Sequence, residues 1–313
     1  MATDSPSPTA SGKHSDPTFR SYNSEQAKVY ASQRLSYPEL LYSAVLSHHS
    51  STGGQLGLLL DVGCGPGNAT RDMARSFEHA LGVDPGEAMI TAAREQGGVT
   101  ATGSEIRYVV GAAEELVAVQ DGEVDLLISA MAAHWFDMDK FWAEAARVLK
   151  PGGTVAVWTC SSGYCHPSTP HADKVMHVLL ELEREILAPY ELLPNRLSRD
   201  MYDHLPLPWT IGHPVEAFPQ DEFVRREWDR DGVLSNGKTF FGGVRMTSVD
   251  VFLKMLGTAS MVTRWREAHA ELVGTDEDVV TAFGARLREA LGPGVEAVDL
   301  GAGTVILMFK KKH

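Results

Sequence analysis

The chain has 313 residues, room for one large domain with an addition, and its 41 acidic and 28 basic side chains give a formal net charge of −13. That balance disfavours nucleic acid as a partner, because a polyanion would approach a surface of like charge, and it favours a small-molecule substrate. The three cysteines lack the spacing of a disulfide framework or zinc site, no apolar run approaches membrane-spanning length, and the Ser/Pro-rich start has no signal-peptide core; a reducing, cytoplasmic setting without metal or membrane is expected, and oligomeric state is silent.

Residues 1–17 read as a disordered tail and 18–50 as an N-terminal helical lid. Phe19, Tyr22, Tyr30, Arg34 and Tyr37 make the lid aromatic-rich, with Tyr22 and Arg34 placed to touch cofactor or acceptor; packing against a sheet explains the same residues equally well. A core follows over 51–160. Residues 58–62 read as a buried parallel strand that ends in an acid, Asp61, and three alternate glycines, Gly63, Gly65 and Gly67, before a helix over 68–77. The spacing is Gly-x-Gly-x-Gly, and Asp61 would meet a pyrophosphate with like charge, whereas a cationic methionine end would gain from the carboxylate. The loop therefore points to S-adenosylmethionine rather than a dinucleotide.

A second strand over 80–84 ends in Asp84, about 20 residues past the first turn, where a carboxylate can accept both ribose hydroxyls; a helix cap before Pro85 is the less favoured, purely local reading. A third strand runs into the turn at Ala112 and Ala113, whose backbone could bond an adenine edge. A fourth buried strand from Val124 carries Met131, His134 and Trp135 to the same end of the sheet, a helix over 141–149 stops at Lys150-Pro-Gly-Gly153, and a fifth strand spans 154–159.

Asp61-Val-Gly-Cys-Gly-Pro-Gly67, Gly82-Val-Asp84, Ala113-Glu114 and Val148-Leu-Lys-Pro-Gly-Gly153 resemble the class I S-adenosylmethionine-dependent methyltransferases over residues 19–160. Within that class Ala132-Ala-His-Trp-Phe-Asp137 and residues 30–38 look most like the trans-aconitate methyltransferase-like small-molecule group. The resemblance implies an α/β fold with a doubly wound, mostly parallel, seven-stranded Rossmann-like sheet. It makes Asp61, Gly63 and Gly65 contacts of the methionyl portion, Asp84 the ribose ligand, and Ala113 with Glu114 the adenine end. Cys64 and Pro85, in and beside these turns, and Met131 at the end of the fourth strand join the expected cofactor contacts. Ala112 and Ala113 stand where many members have an aspartate, which leaves the adenine amino group to backbone carbonyls or Glu114, and Met131 stands near where the trans-aconitate pattern has a polar residue.

Residues 161–245 are expected to hold an acceptor cap, inserted after the fifth strand, and the sixth strand, and 246–313 to close the sheet. Helical spacing over 173–187 precedes a stretch broken by Pro194, Pro206, Pro208, Pro214 and Pro219 but rich in aromatic residues, too apolar for a free linker. A sixth strand over 223–228, helices over 249–261 and 276–291, and a hairpin-like pair around Gly301 and Gly303 complete the chain. His134 is the catalytic candidate where the acceptor needs deprotonation, against a reading as a satisfied crevice-wall histidine. Trp135, Trp158 and Arg245 are the substrate-binding candidates, Arg245 because a carboxylate favours a bidentate arginine, although the tryptophans fit a core and the arginine a surface. Carboxylate O-methylation is the first subtype to test; a non-methylating rearrangement and a non-catalytic regulatory protein are the alternatives.

Overall fold

The computed structural model describes residues 36–313 together with Ala27 and Ala31. The expected tail and the lid residues Phe19, Tyr22, Tyr30 and Arg34 lie outside the described residues. The strands are β1 (Leu58–Val62), β2 (His79–Asp84), β3 (Arg107–Val110), β4 (Val124–Ala130), β5 (Leu149–Cys165), β6 (Val224–Trp228), β7 (Met246–Ser248) and β8 (Ala297–Lys310). They form one sheet in the order β3-β2-β1-β4-β5-β8-β6, with the short β7 paired to β8 off this path. Pairing is parallel from β3 through β5, and β8 runs antiparallel to β5, β6 and β7. The expected seven-stranded sheet thus gains an eighth strand, β7, which is too short and exposed to leave an apolar signature.

The strands read as near-continuous apolar runs because both faces of the sheet are covered. Leu60, Val62, Leu127, Val155, Val157, Leu307 and Phe309 face one core, and Leu59, Leu126, Ile128, Ala156, Trp158, Ile306 and Met308 face the other. The second core is roofed by α1 (Glu39–Ser51), α2 (Asn68–Ala74) and α3 (Glu87–Gln96), which contribute Leu41, Val45, Met73, Ile90 and Ala93. The first is roofed by α4 (Met138–Val148), whose buried Met138, Phe141, Trp142, Ala145 and Val148 recur at helical spacing. Trp142 Nε1 donates to Pro206 O at 3.0 Å, and Met201, Tyr202, Leu205, Ile211 and Phe218 join this core. The Pro-broken stretch expected to cap the acceptor therefore packs, for residues 201–223, against a face of the sheet. Its prolines prevent a helix while its aromatic side chains still fill a core.

The remaining helices are α5 (Ala172–Glu181), continued by a π-turn over Leu182–Ile186, α6 (Leu193–Arg199), α7 (Val249–Leu256), α8 (Ser260–Ala268) and α9 (Val279–Leu291). Helices α5, α7, α8 and α9 enclose a third core around Val175, Leu179, Val262, Phe283 and Leu287. The expected helix over 249–261 is two helices, parted where Gly257 N bonds Leu253 O and Thr258 N bonds Met255 O. This small helical unit draws on both sides of the expected boundary at residue 245, because the apolar face of α7 finds its partners on α5 and α9.

The unit stands on an arm. Strands β5 and β8 continue past the parallel sheet, with Gly163 opposite Ala302, Tyr164 opposite Gly301 and Cys165 opposite Leu300 after an irregularity beyond Cys160. The hairpin expected around Gly301 is one continuous strand. Gly301 serves a close approach instead: a Cβ there would lie 2.1 Å from the Phe240 ring. Among the described residues no helix is long and apolar enough to cross a membrane.

Candidate functional site

The carboxyl ends of β1, β2 and β4 meet where the strand order reverses, between β1 and β4, which is where open α/β sheets bind ligands. A cavity of about 570 Å³ opens there and reaches across to the helical unit on its arm. Its floor is the glycine loop. Gly63 N and Cys64 N both donate to Val83 O, at 2.8 and 3.1 Å, so the loop is laced to β2. Gly63 has φ +71°, and a Cβ on it would come within 2.5 Å of Ala132 Cβ. Only glycine satisfies both demands, which brings β1 and the end of β4 together under a ligand.

Asp84, at the end of β2, lines the cavity. Its Oδ2 accepts from Gly65 N at 2.9 Å and its Oδ1 from Gly86 N at 2.8 Å, so two backbone donors fix the carboxylate at the cavity wall. Helix α3 begins at Glu87 with Gly86 as its N-cap and no side-chain cap, so the carboxylate braces the turn and the glycine loop. Asp61 lies deeper. It is wholly buried, Thr70 Oγ1 donates to its Oδ2 at 2.6 Å, and its Oδ1 has no hydrogen-bond partner among the described residues. Burial, reinforced by the nearby Asp84, pushes its carboxyl up to about 7. An orphaned buried acid beneath the glycine loop fits a ligand that brings positive charge, as the methionyl ammonium and sulfonium of S-adenosylmethionine do.

Glu114 and Ala113 form the next wall. Glu114 Oε1 accepts from Asp137 N at 2.8 Å, at the start of α4, which fixes the third turn to the fourth and leaves one carboxylate oxygen for the ligand side. Met131, at the end of β4, has the left-handed φ of +55°, unusual for a side chain of its size. Its sulfur accepts from Cys160 N at 3.1 Å, which holds the tip of β4 against β5. Gly63, Cys64, Gly65, Asp84, Pro85, Ala113, Glu114, Met131, Trp135 and Arg245 all line this one cavity. Burial and the two neighbouring acids push the Cys64 thiol well up, so it stays a thiol and acts as loop packing.

Asp61 lies beneath the lining rather than in it, and two further sequence candidates fall elsewhere. His134 is turned away from the cavity: it is buried, its Nδ1 is 3.0 Å from Tyr202 Oη, and burial lowers it to about 3. The expected catalytic histidine is thereby corrected to a neutral group that ties the turn after β4 to the segment after α6. Trp158 is wholly buried on the α1 side of the sheet, edge-on to Tyr37 at 5.5 Å and Tyr42 at 6.3 Å. It is a core residue rather than a substrate contact, because the inward register of β5 points it away from the cavity. Tyr22 and Arg34 lie outside the described residues.

Among the described lining residues of the far half, Arg245 alone is a sequence candidate. Leu179, Leu182, Leu187, Phe252, Met255 and Met261 give this half an apolar wall, and Cys160, Ser161 and Thr304 come from the arm. Glu183 enters it from the π-turn, a geometry that brings a side chain off the regular helical stripe and has no sequence signal. Arg245 faces the same space; its backbone N donates to the buried Asp299 at 3.0 Å, while its guanidinium makes no hydrogen bond or ion pair among the described residues.

Comparison with known proteins agrees with this geometry. A family model described as "Methyltransferase domain" matches residues 60–157. The chain is 31% identical to "Probable S-adenosylmethionine-dependent methyltransferase CRG1" of Saccharomyces cerevisiae over 41% of its own length and 43% of that protein's. It is 26% identical to methyltransferase cfoB of Aspergillus candidus over 83% of this chain and 86% of that one. A solved structure from Anaeromyxobacter dehalogenans, assigned as a type II methyltransferase, is 28% identical, with TM-score 0.62 over 89% of this chain and 97% of that one. The match spans less than half the length of the yeast protein and of a curated Dictyostelium discoideum relative. Residues 60–157 thus match a methyltransferase domain, and the strand order, glycine loop and paired acids at the ends of β1 and β2 are similar to those of the class I S-adenosylmethionine-dependent methyltransferases.

Proposed function

We propose that this protein transfers a methyl group from S-adenosylmethionine to the carboxylate of a small, largely apolar acid. One observation carries the reading: the cavity that begins at the glycine loop continues without a break into an apolar lobe that holds an arginine, Arg245, and, among the described lining residues, no histidine or lysine. A carboxylate is ionised at neutral pH and needs no general base, whereas a phenol or amine acceptor gains from one. Arg245 can bind a carboxylate through two parallel N–H bonds.

When bound, S-adenosylmethionine supplies a methyl group already activated on a cationic sulfonium. The protein's part is placement and exclusion of water. Asp61 and the Gly63–Gly65 backbone take the methionyl end, Asp84 the ribose, and Ala113 with Glu114 the adenine side. Trp135 and Met131 stand at the junction between the two lobes, and Arg245 orients the acid. The resemblance of Ala132-Ala-His-Trp-Phe-Asp137 to the trans-aconitate-like group supports a carboxylate acceptor.

Calorimetric titration with S-adenosylmethionine and S-adenosylhomocysteine, followed by product analysis over matched panels of acids and phenols, tests the proposal. Binding with methyl esters as products is the expected result. Aryl ethers without esters would sink the carboxylate assignment, binding without any methylated product would favour a rearrangement or a regulatory role, and absence of binding would remove the cofactor itself.

A further inference from the structure

The acceptor lobe carries two opposite charges that do not meet. Arg245 and Glu183 line the same cavity, yet no ion pair joins them. They arrive from different places: Arg245 from the loop before β7, anchored through its backbone to Asp299, and Glu183 from the π-turn after α5. Glu183 is itself built in. Ser162 Oγ, on the extended part of β5, donates to its Oε1 at 2.6 Å, while Oε2 has no hydrogen bond among the described residues. Asp84 and Glu114, the other carboxylates on the cavity wall, belong to the cofactor half and are occupied by backbone donors. The same lobe is lined by the apolar side chains of Leu179, Leu182, Phe252, Met255 and Leu256.

An unpaired charge facing apolar surface is stable while water reaches it and costly once a ligand expels that water, unless the ligand brings a partner. A plain apolar acid satisfies Arg245 and strands Glu183. A ligand with a proton donor at a distance from its carboxylate satisfies both and lays its apolar body along the apolar wall. We propose that Glu183 and Arg245 jointly select an acceptor acid that also carries a proton-donating group, hydroxyl or ammonium, on an apolar body. This rests on the carboxylate reading above for the Arg245 end, while Glu183 makes its own demand on the ligand.

The test compares hydrocinnamate with its para-hydroxy and para-amino forms, and decanoate with its ω-hydroxy and ω-amino forms. Each is titrated into the S-adenosylhomocysteine-loaded protein, then assayed for ester formation with S-adenosylmethionine. A hydrogen bond to a charged group predicts that at least one donor-bearing acid binds about 10-fold or more tighter than its plain parent, and that Glu183→Gln collapses this ratio toward one. Preference for the ω-amino or ω-hydroxy arm identifies the donor. Equal binding of plain and donor-bearing acids by the natural protein, or an undiminished ratio in Glu183→Gln, overturns the proposal. Discrimination without ester product would overturn carboxylate methylation and leave the Glu183 selection supported; ester product without discrimination would do the reverse. Binding of S-adenosylhomocysteine in the same titrations reports that the variant is folded.

Discussion

The cofactor half and the acceptor half of the cavity are assembled in opposite ways. Each wall of the cofactor half comes from a short stretch at the end of a parallel strand: Gly63 to Pro66 after β1, Asp84 and Pro85 after β2, Ala113 and Glu114 after β3, and Met131, Ala132, Trp135 and Phe136 after β4. The acceptor half is gathered from the π-turn after α5, the loop before β7, helix α7, the start of α8 and the extended arm of β8. The sheet, held by backbone ladders, makes the first half stiff and stereotyped. The second is held by side-chain packing in a separate small core, so its lining is free to vary without touching the strand ends. The two halves should accordingly fail separately when altered.

The largest effect is expected at Gly63→Val. A branched side chain at φ +71° must relieve both backbone strain and the 2.5 Å approach to Ala132 Cβ, which together cost several kcal/mol, on the order of a hundredfold or more in affinity for S-adenosylhomocysteine. Gly103→Val, at φ +80° with nothing near it, is the control: it should lower stability and spare cofactor affinity. Equal loss at both positions would break the claim that the loop is a ligand cradle. Next comes Asp84→Ala, which removes the acceptor for Gly65 N and Gly86 N as well as the proposed ribose contact; about a 10- to 100-fold loss by calorimetry is expected, and unchanged affinity would remove Asp84 from the site.

That asymmetry also explains what could be read from the chain alone. The glycine turn after β1 and the acids at the ends of β1 and β2 were legible because such a turn needs specific backbone at fixed offsets from a strand, and those offsets survive in one dimension. The order and burial of β1 to β5 were legible for the same reason. His134 carries two readings in the sequence because a histidine at a strand end looks the same whether it faces the crevice or turns beneath it, and the structure pairs it with Tyr202, 68 residues away. For Trp158 the core alternative matches its burial, since the parity of β5 fixes which face it meets. Glu183 was invisible because a π-turn shifts side-chain direction without a composition cue, and the single strand at Gly301 was mistaken for a turn because glycine there admits the Phe240 ring rather than a bend.

Arg245→Ala sharpens the comparison from the other side. Loss of the guanidinium should raise KM for an acid acceptor about 10- to 100-fold while affinity for S-adenosylhomocysteine holds, and Arg245→Lys should recover only part, because an ammonium lacks the bidentate fork. A parallel loss of cofactor affinity would mean that the halves are coupled. A smaller, pH-dependent effect belongs to Asp61. With its carboxyl raised to about 7, the free protein holds this group largely protonated at pH 6, and a cationic ligand favours the ionised form, so binding releases a proton. Affinity for S-adenosylmethionine should therefore rise with pH, by up to about tenfold per unit below 7, and level off above it. Asp61→Asn should flatten that slope.

The smallest effect on turnover is expected at His134, and its absence would be informative. A group lowered to about 3 by burial is neutral across the working range and cannot contribute an inflection near pH 6 to 7 in the rate. His134→Ala leaves the Tyr202 hydroxyl buried without its partner, and Tyr202→Phe leaves His134 Nδ1 in the same state; each should lower stability by about 1–3 kcal/mol in denaturant titration. Both should keep kcat within about threefold at saturating acceptor, because the ring lies behind the cavity wall and a carboxylate acceptor asks for no base. A hundredfold fall in kcat with stability intact would place His134 in the chemistry, and would then argue for a hydroxyl or amine acceptor whose proton it removes after a rearrangement of the Tyr202 contact.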